Sequence, residues 1–382
     1  MKQNSFLLLI CCFWMQKLSA QRPFKPLEVD LVIESLIQKE GPGLSALATE
    51  KGTAIYSEQR GVTALDNQTA IEAKSHFRMA SISKHVTAFS LYKLIETRKI
   101  TLNQTIGKYF PKLPSRVQQI TIAQLLQHSS GILDYENLLP STQREQILDA
   151  DILPYLETTD SLYFTPGTKF RYSNTGYCLL ALIIEQVSGL PYPQFVKNHI
   201  FTPIGLTDAL IYQANASIPD RAYGYHPEGS VFHFADQSIT SATKGDGGVY
   251  FSSNDFHQWA RHIGKTYLSD ASFKPWFLKN SIRVIGQIRY SMGLFYYQDK
   301  LGNLYCFHSG ESTGFNNIMY IDVTRDLIVS IFSNRDDAVV SRPFEDIMLR
   351  VDKNKLKKSY IQEPLFDWLS KVYTNEPMVV SH

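Results

Sequence analysis

The chain has 382 residues, a formal net charge of +2 and a hydrophobic fraction of 44%. This length allows one large domain with two lobes or two separate domains, and either has room for an extensive core. Because the charges are nearly balanced and spread along the chain, nucleic acids and membrane surfaces are poor candidates for partners.

The first twenty residues have the three parts of a secretory signal: Lys2, an apolar run at 6–15, and a small-residue end at Ala20. We expect cleavage after Ala20 and export to the periplasm or the medium. Retention as a membrane anchor is the alternative. The apolar run is too short to span a bilayer and no later stretch is longer, so we expect no stable membrane insertion after cleavage.

Two cysteines, Cys178 and Cys306, lie beyond the predicted signal. An oxidising compartment permits a disulfide between them, while two buried free thiols are the plainer expectation.

Apolar spacing predicts a helix at 27–39, and short glycine-bounded runs at 44–49 and 53–58 predict a hairpin. A buried helix is predicted from His85 to Arg98. Residues 101–225 are mainly helical with long proline-containing connections.

The remaining elements are predicted as helices at 122–127, 179–187, 254–263 and 342–351, and strands at 291–296, 303–308, 315–322 and 327–333. A capping residue, Ser253 or Asn254, precedes the third helix. Strands at both ends with helices between them predict an α/β fold of the α+β type. One antiparallel sheet built from both chain ends is flanked by helices and carries an inserted, mainly helical lobe at about 101–225.

Ser81 and Lys84 are the best candidates for nucleophilic chemistry. They lie three residues apart at a predicted helix start, so one helix face would carry both side chains. A serine needs a neighbouring base, and the free N–H groups of a helix start can stabilise an oxyanion. The same Ser-x-x-Lys spacing at 90–93 and 241–244 lacks this position.

Tyr172 and Asn174 form a second candidate motif, on a loop that precedes a helix. A tyrosine whose pKa is lowered by nearby cations can carry the serine proton to the leaving group. Asn174 could bind a substrate carbonyl or the lysine. The plainer interpretation is a loop tyrosine with a capping residue, and Tyr-x-Asn matches at 135–137 and 373–375 show that the motif alone is unspecific.

His308, Ser309 and Gly310 form a third candidate motif at the predicted end of a strand. A strand edge can pair with an extended substrate, and Gly310 would let its backbone come close. His308 would add an electrostatic or hydrogen-bonding group. A second His-x-Gly match at 262–264 fits a helix C-terminus better.

In this order the three motifs resemble the serine β-lactamase and penicillin-binding-protein superfamily. The most similar branch holds class C β-lactamases, DD-carboxypeptidases, D-aminopeptidases and related esterases. The resemblance extends from about Leu31 to Val351 and includes the phrases at 77–81, 125–131, 166–177 and 245–250. It implies a β-lactamase-like fold, and it is specific for the superfamily but not for a substrate.

The resemblance implies that Ser81 is the acylated nucleophile and that Lys84 is its proton acceptor or electrostatic partner. Tyr172 would be the general base and acid, and Asn174 would position the substrate. The backbone N–H groups of Ser81 and Glu311 would form the oxyanion hole. The sequence leaves open whether Lys84 or Tyr172 takes the proton.

The third motif departs from the class C β-lactamases, which have lysine where this chain has His308. The histidine form resembles the peptidase and esterase relatives, and a neutral histidine would hold a substrate carboxylate less firmly. Ser309 stands where members often have threonine, and Ser309 and Gly310 would bind substrate with His308. His128 and the loop at 245–248 are expected to be structural.

Two other hydrolase classes do not fit the sequence. Ser312 lies in a Gly-x-Ser-x-Gly match, but a strand-like segment follows it instead of a helix, and the only later histidine is His382. A metallohydrolase is disfavoured, because the chain has no His-Glu-x-x-His motif, and His257 and His262 are five apart, off a common helical face.

The sequence thus predicts an exported serine hydrolase that acts through an acyl-enzyme on Ser81, with neither metal nor organic cofactor. The first choice of substrate is a D-amino-acid peptide of the DD-carboxypeptidase type. A β-lactam or small-ester hydrolase is the alternative, and a non-catalytic sensor of β-lactams or cell-wall fragments is the alternative of another class. The predicted parts are a signal at 1–20, a hydrolase domain at 21–352 and an extension at 353–382 without an assigned role.

Overall fold

The computed structural model describes residues 26–214, 216–351 and 361–375. The predicted signal therefore lies outside the described residues, and the division into signal, hydrolase domain and extension stays a prediction. In the described part of the chain, none of the helices combines the length and the apolar composition needed to span a bilayer.

Thirteen strands are present in the described residues: β1 Leu44–Glu50, β2 Thr53–Arg60, β3 Phe77–Arg78, β4 Leu210–Ile211, β5 Tyr225–Glu228, β6 Val231–Phe234, β7 Val249–Phe251, β8 Ile282–Ile285, β9 Ile288–Ser291, β10 Leu294–Gln298, β11 Leu304–Ser312, β12 Phe315–Asp322 and β13 Leu327–Ser333. Eight of them form one sheet in the order β2-β1-β13-β12-β11-β10-β9-β8. Its neighbouring strands are all antiparallel.

The sheet joins the two halves of the chain as predicted. β1 pairs with β13 from Leu44 opposite Ser333 to Glu50 opposite Leu327. The strands in the middle of the sheet are buried along their whole length, which indicates that both faces of the sheet are covered. The predicted α/β fold of the α+β type is confirmed.

The described residues contain eleven α-helices: α1 Pro26–Leu36, α2 Ser83–Glu96, α3 Ser115–Gln118, α4 Ile122–Leu126, α5 Leu153–Glu157, α6 Asn174–Ser188, α7 Tyr192–Val196, α8 Ser253–Ile263, α9 Phe273–Lys279, α10 Ser341–Val351 and α11 Leu365–Tyr373. α2 is buried along most of its length and packs against α6. Ser173 caps the start of α6, and Gly189 ends it in the left-handed conformation.

Several predicted boundaries were wrong for local reasons. The predicted strand at 291–296 is a hairpin, because Met292 and Gly293 both take positive φ values and turn the chain between β9 and β10. The cap of α8 is Ser252, which forms a capping box with Asp255. The sequence prediction also missed α9, α11, β8 and the hairpin of β5 and β6.

One correction bears directly on the third motif. The strand predicted to end at His308 continues to Ser312, so His308, Ser309 and Gly310 lie within β11. β11 then turns directly into β12. Ser312 is therefore followed by a strand, and the rejection of a Gly-x-Ser-x-Gly elbow is confirmed.

Replacing Gly310 by alanine should lower the free energy of unfolding by about 1–3 kcal/mol. The added Cβ would lie 2.1 Å from the Met79 carbonyl oxygen, so one of the two backbones must shift. Denaturant unfolding measures the effect. Gly264→Ala is the matched control, because nothing lies within 4 Å of a Cβ added there. Equal unfolding midpoints for the two variants would contradict the close packing.

Candidate active site

Ser81 lies in a single 3₁₀ turn, Ala80–Ile82, that leads directly into α2. Ala80 has a φ of 47°, a left-handed conformation that costs a non-glycine residue about 1–2 kcal/mol. Gly310 of β11 packs against the Met79 backbone beside this turn. The sheet therefore holds the strained turn in place, as is often seen where a reactive side chain must be presented.

Lys84 places its ammonium nitrogen beside the Ser81 hydroxyl. Nζ lies 3.1 Å from Ser81 Oγ, 2.7 Å from Asn174 Oδ1 and 3.0 Å from the Asp246 carbonyl oxygen. Burial lowers the pKa of Lys84 to about 8, although the charge of Asp246 acts to raise it. A substantial fraction of Lys84 is therefore unprotonated at mildly alkaline pH, which a base for Ser81 requires.

Asn174 connects Lys84 to a carboxylate that the sequence analysis missed. Its Nδ2 donates to Glu136 Oε1 at 2.7 Å, while its Oδ1 accepts from Lys84. Burial raises the pKa of Glu136 to about 7. Ser81, Lys84, Asn174 and Glu136 thus form one continuous polar chain.

Tyr172 is buried beside this chain, and the expected direction of its pKa was wrong. Lys84 Nζ lies 4.9 Å from the centre of the Tyr172 ring. Burial nevertheless raises the pKa of Tyr172 well above its ordinary value, and the charge of Tyr373 acts in the same direction. The Ser81 hydroxyl acts to lower this pKa but does not outweigh burial, and the Tyr172 hydroxyl has no hydrogen-bond partner among the described residues. Tyr172 is therefore a neutral phenol, suited to giving a proton and poorly suited to taking one unaided.

His308 is fully buried in β11 and lies among aromatic rings. Burial lowers the pKa of His308 well below its ordinary value, so this histidine is neutral. The Tyr373 hydroxyl lies 3.0 Å from His308 Nδ1 and 3.0 Å from the Ser309 backbone nitrogen. Tyr373 therefore covers the motif that was expected to face the cleft, and substrate binding by His308, Ser309 and Gly310 stays a prediction.

A cavity of about 280 Å³ opens beside Ser81. Its lining includes Ser81, Asn174, Glu136, Asp246, Glu311 and Arg78. Ser81 and Glu311, whose backbone N–H groups are the predicted oxyanion hole, both face this space. The lining holds three carboxyl groups against one guanidinium, that of Arg78, so the cavity is on balance a better place for a cationic group than for an anionic one.

The residues that sequence reasoning missed belong to two matches that were set aside. Glu136 lies in the match at 135–137, and Tyr373 and Asn375 lie in the match at 373–375. Asn375 Oδ1 accepts from the Tyr172 backbone nitrogen at 3.0 Å. No local signal marked these two Tyr-x-Asn matches as functional, because their contacts depend on how distant parts of the chain pack.

Other residues take the structural places that were expected. His128 is buried, its Nδ1 accepts from the Ser173 nitrogen at 3.1 Å, and its ring lies 4.3 Å from that of Tyr172. Within the described ranges, Cys178 and Cys306 are buried free thiols. A disulfide between them is therefore excluded in this structure.

One set of potential metal ligands converges in the described part of the chain. The ligand atoms of Asp149, Cys178 and Asp246 lie within 4.8 Å of one another. Asp149, however, accepts from the Lys244 and Gly245 nitrogens, which ties the glycine loop to the core. Burial also raises the pKa of the Cys178 thiol well above its usual value, so the group fits loop anchoring better than metal binding.

A family model described as Beta-lactamase matches residues 29–350. The chain belongs to the beta-lactamase family. The resemblance that the three motifs indicated is thereby confirmed, and the protein is an enzyme, a serine hydrolase. Residues 361–375 lie beyond the matched range.

The chain is similar to several members of this superfamily. It is 29% identical over 325 residues to Penicillin-binding protein 4* of Bacillus subtilis (strain 168), covering 80% of this chain and 71% of that protein. A penicillin binding protein from Bacillus halodurans has a similar structure, with a TM-score of 0.71, 21% identity, and coverage of 84% and 98%. D-amino acid amidase from Ochrobactrum anthropi SV3 has a TM-score of 0.70, 20% identity, and coverage of 86% and 99%. The two structures confirm the beta-lactamase-like fold.

The rate at which a neutral fluorophosphonate labels Ser81 should rise with pH, reach half its maximum near pH 8 and level off above about pH 9. Burial lowers the pKa of Lys84 to about 8, so its unprotonated form accumulates as the pH rises through that value. Lys84→Met should remove the pH dependence and slow labelling by about 10²–10⁴-fold. Intact-mass spectrometry measures the labelled fraction. An unchanged pH profile in Lys84→Met would show that another group titrates.

Proposed function

We propose that the protein is an exported serine hydrolase that forms an acyl-enzyme on Ser81 and cleaves D-amino-acid amide or peptide bonds. The observation that carries the proposal is the buried Lys84 nitrogen at 3.1 Å from Ser81 Oγ, with a pKa lowered to about 8. In this mechanism neutral Lys84 takes the Ser81 proton, and Ser81 attacks the substrate carbonyl. The oxyanion develops between the backbone N–H groups of Ser81 and Glu311.

Tyr172 has the opposite task in the proposed mechanism. Because its pKa is raised, it keeps its proton until the tetrahedral intermediate collapses and then donates it to the leaving group. Lys84, protonated by then, can return a proton to Tyr172. Water afterwards hydrolyses the acyl-enzyme with the same groups acting in reverse. The proposed mechanism therefore uses the same serine, lysine and tyrosine as the sequence predicts. It assigns the role of general base in acylation to Lys84 and leaves Tyr172 the role of general acid.

The acidic lining of the cavity supports a substrate with a free amino group. Glu136, Asp246 and Glu311 surround the space beside Ser81. An α-ammonium group placed there gains charge complementarity that a neutral acyl group does not. The structural likeness to a D-amino acid amidase supports the same substrate class.

A small-ester or β-lactam hydrolase is the second candidate. The neutral, covered His308 favours the ester over the β-lactam, because a β-lactam carries a carboxylate and none of the three residues of the third motif supplies a cation to balance it. A non-catalytic sensor, the alternative of another class, does not fit a chain that belongs to an enzyme family. Turnover of any substrate in the panel below would exclude it directly.

A substrate panel tests the proposed function. We expect hydrolysis of D-phenylalanine amide with a preference over the L-enantiomer, weaker hydrolysis of a nitrophenyl ester, and little hydrolysis of a chromogenic cephalosporin. Ser81→Ala should abolish turnover and the fluorophosphonate adduct, because no other nucleophile replaces its oxygen. Turnover by Ser81→Ala, or no preference for D-phenylalanine amide, would contradict the proposal.

Replacing Tyr172 by phenylalanine should lower kcat by about 10²–10⁴-fold while KM changes little, because the variant keeps the ring and loses only the proton donor. Steady-state kinetics with the amide substrate measures both constants. Tyr297→Phe is the matched control: it removes a phenol from β10 whose ring stacks on that of Tyr305, whereas the Tyr172 ring lies beside Lys84. Wild-type kcat in Tyr172→Phe would remove Tyr172 from the mechanism.

A further inference from the structure

The end of β11 offers a strand edge directly beside the candidate catalytic groups. β10 pairs with β11 only from Leu304 to Phe307, whereas β12 pairs with β11 as far as Ser312. From His308 onward, one side of β11 therefore has no strand partner in the described residues. Backbone N–H and C=O groups on such an edge can bind an extended substrate.

The Tyr373 hydroxyl occupies this edge. It lies 3.0 Å from the Ser309 backbone nitrogen, 2.9 Å from Ser309 Oγ and 3.1 Å from the Ser309 carbonyl oxygen. It is also 3.0 Å from His308 Nδ1. One phenol therefore satisfies both backbone groups and the hydroxyl of Ser309, which would otherwise be offered to a substrate.

The position of Tyr373 is fixed by the rest of the segment 361–375. Leu365, Trp368 and Leu369 are buried, and Trp368 packs on Phe295 and Phe307 of the sheet. The hydroxyl of Ser370 donates to Glu311 Oε1 at 2.7 Å. These contacts anchor α11 on the sheet immediately before Tyr373.

The same segment also holds Tyr172. The side-chain amide of Asn375 accepts from the Tyr172 nitrogen at 3.0 Å and donates to the Tyr172 carbonyl oxygen at 3.4 Å. The rings of Tyr172 and Tyr373 lie 4.5 Å apart. Since Tyr172 is the proposed proton donor to the leaving group, Tyr373 lies on the leaving-group side of the site.

A carboxylate on the leaving group would meet poor conditions at this edge. The carboxylate would have to displace the Tyr373 hydroxyl from Ser309. His308, the residue before Ser309, is neutral and would not balance its charge. Arg78 lines the cavity beside Ser81, but its guanidinium lies over the Tyr212 ring and donates to the Ser241 carbonyl oxygen, so its charge lies at the Ser241 wall of that cavity, whose lining does not include Ser309. A carboxylate held at Ser309 would therefore be buried without a cation, which is strongly disfavoured.

We infer that Tyr373 is a specificity-determining residue that restricts the enzyme to substrates with an uncharged leaving group. Amides, amidated peptides and esters are accepted, and peptides that end in a free carboxylate directly after the scissile bond are rejected. This inference rests on the proposed function and narrows its substrates from amide and peptide bonds in general to those with an uncharged leaving group, which excludes the carboxypeptidase substrates expected from the sequence. The segment that carries Tyr373 lies beyond residues 29–350, which the family model covers.

A matched pair of dipeptides tests the inference. D-phenylalanyl-glycine and D-phenylalanyl-glycinamide share the acyl group and differ by one charge on the leaving group. Wild-type kcat/KM should be at least tenfold higher for the glycinamide. Tyr373→Ala should reduce that ratio at least tenfold, because it opens the edge of β11 at Ser309. A wild-type ratio near one, or the same ratio in Tyr373→Ala, would overturn the inference.

Two further variants serve as controls. Tyr373→Leu keeps an apolar side chain against Tyr172 but removes the hydroxyl and the length of the ring. It should shift the ratio in the same direction as Tyr373→Ala, and it replaces that variant if Tyr373→Ala does not fold. Lys371→Ala shortens an exposed side chain of the same helix and should keep the wild-type ratio. A shift in Lys371→Ala as large as in the Tyr373 variants would point to a general loosening of α11 and overturn the assignment.

A pair of esters separates failure of the inference from failure of the proposed function. Acetate esters of 4-hydroxybenzoate and of 4-hydroxybenzamide again differ by one leaving-group charge but contain no D-amino acid. If the enzyme cleaves neither dipeptide but prefers the benzamide ester, the D-amino-acid proposal is wrong and the Tyr373 inference stands. If Ser81 takes no fluorophosphonate and no substrate is cleaved, the proposed function and the inference both fall.

Discussion

The structure around Ser81 depends on the burial of one amino group, that of Lys84. An ammonium without water must find acceptors, and Lys84 finds Ser81, Asn174 and the Asp246 carbonyl. Burial lowers the pKa of Lys84 to about 8, below the usual 10.5. Between about pH 8 and 10.5 the unfolded chain keeps a proton on Lys84 that the folded chain has lost. The burial of Lys84 therefore lowers the free energy of unfolding most below pH 8, and this cost falls as the pH rises to 10.5. In return, an amine that readily loses its proton near neutral pH lies beside the serine.

Two backbone constraints bring the serine to the lysine. Ala80 is held in a left-handed conformation, and β11 can lie against Met79 only because residue 310 has no side chain. The central strands of the sheet are buried on both faces, which leaves β11 no room to relax away from the turn. The strain at Ala80 is thus balanced by packing elsewhere in the sheet, and the nucleophile has a fixed place relative to Glu311.

Local patterns were sufficient for much of the fold. The strands at 315–322 and 327–333 were predicted at their observed bounds, because β-branched and aromatic runs lie between clear turn residues. The hairpin at Met292 was missed, since a left-handed methionine is uncommon and no local signal announces it. The long lobe was predicted as helical, but α6 is its one long helix and the other described helices there have four or five residues.

The residues of the candidate site also fall into a group that the sequence could predict and a group that it could not. Ser81, Lys84, Tyr172 and Asn174 were found because the three motifs follow one another in the order of a known superfamily, although each spacing alone is unspecific. The structure brings all four residues together. Glu136 and Tyr373 could not be found, because their positions depend on packing across the chain. The direction of the Tyr172 pKa was also beyond reach, since burial decides it. The sequence shows nearby cations but not how deeply the tyrosine is buried.

The polar chain from Ser81 to Glu136 has a consequence for the choice of base. When Lys84 accepts the Ser81 proton, it becomes an ammonium next to Asn174, whose amide is bonded to Glu136. Burial raises the pKa of Glu136 to about 7, so its charge changes in nearly the same pH range as that of Lys84. An ionised Glu136 stabilises the new ammonium, and a protonated Glu136 does not. The two groups therefore titrate as one system, in which the basicity of Lys84 depends on a residue that never contacts the nucleophile.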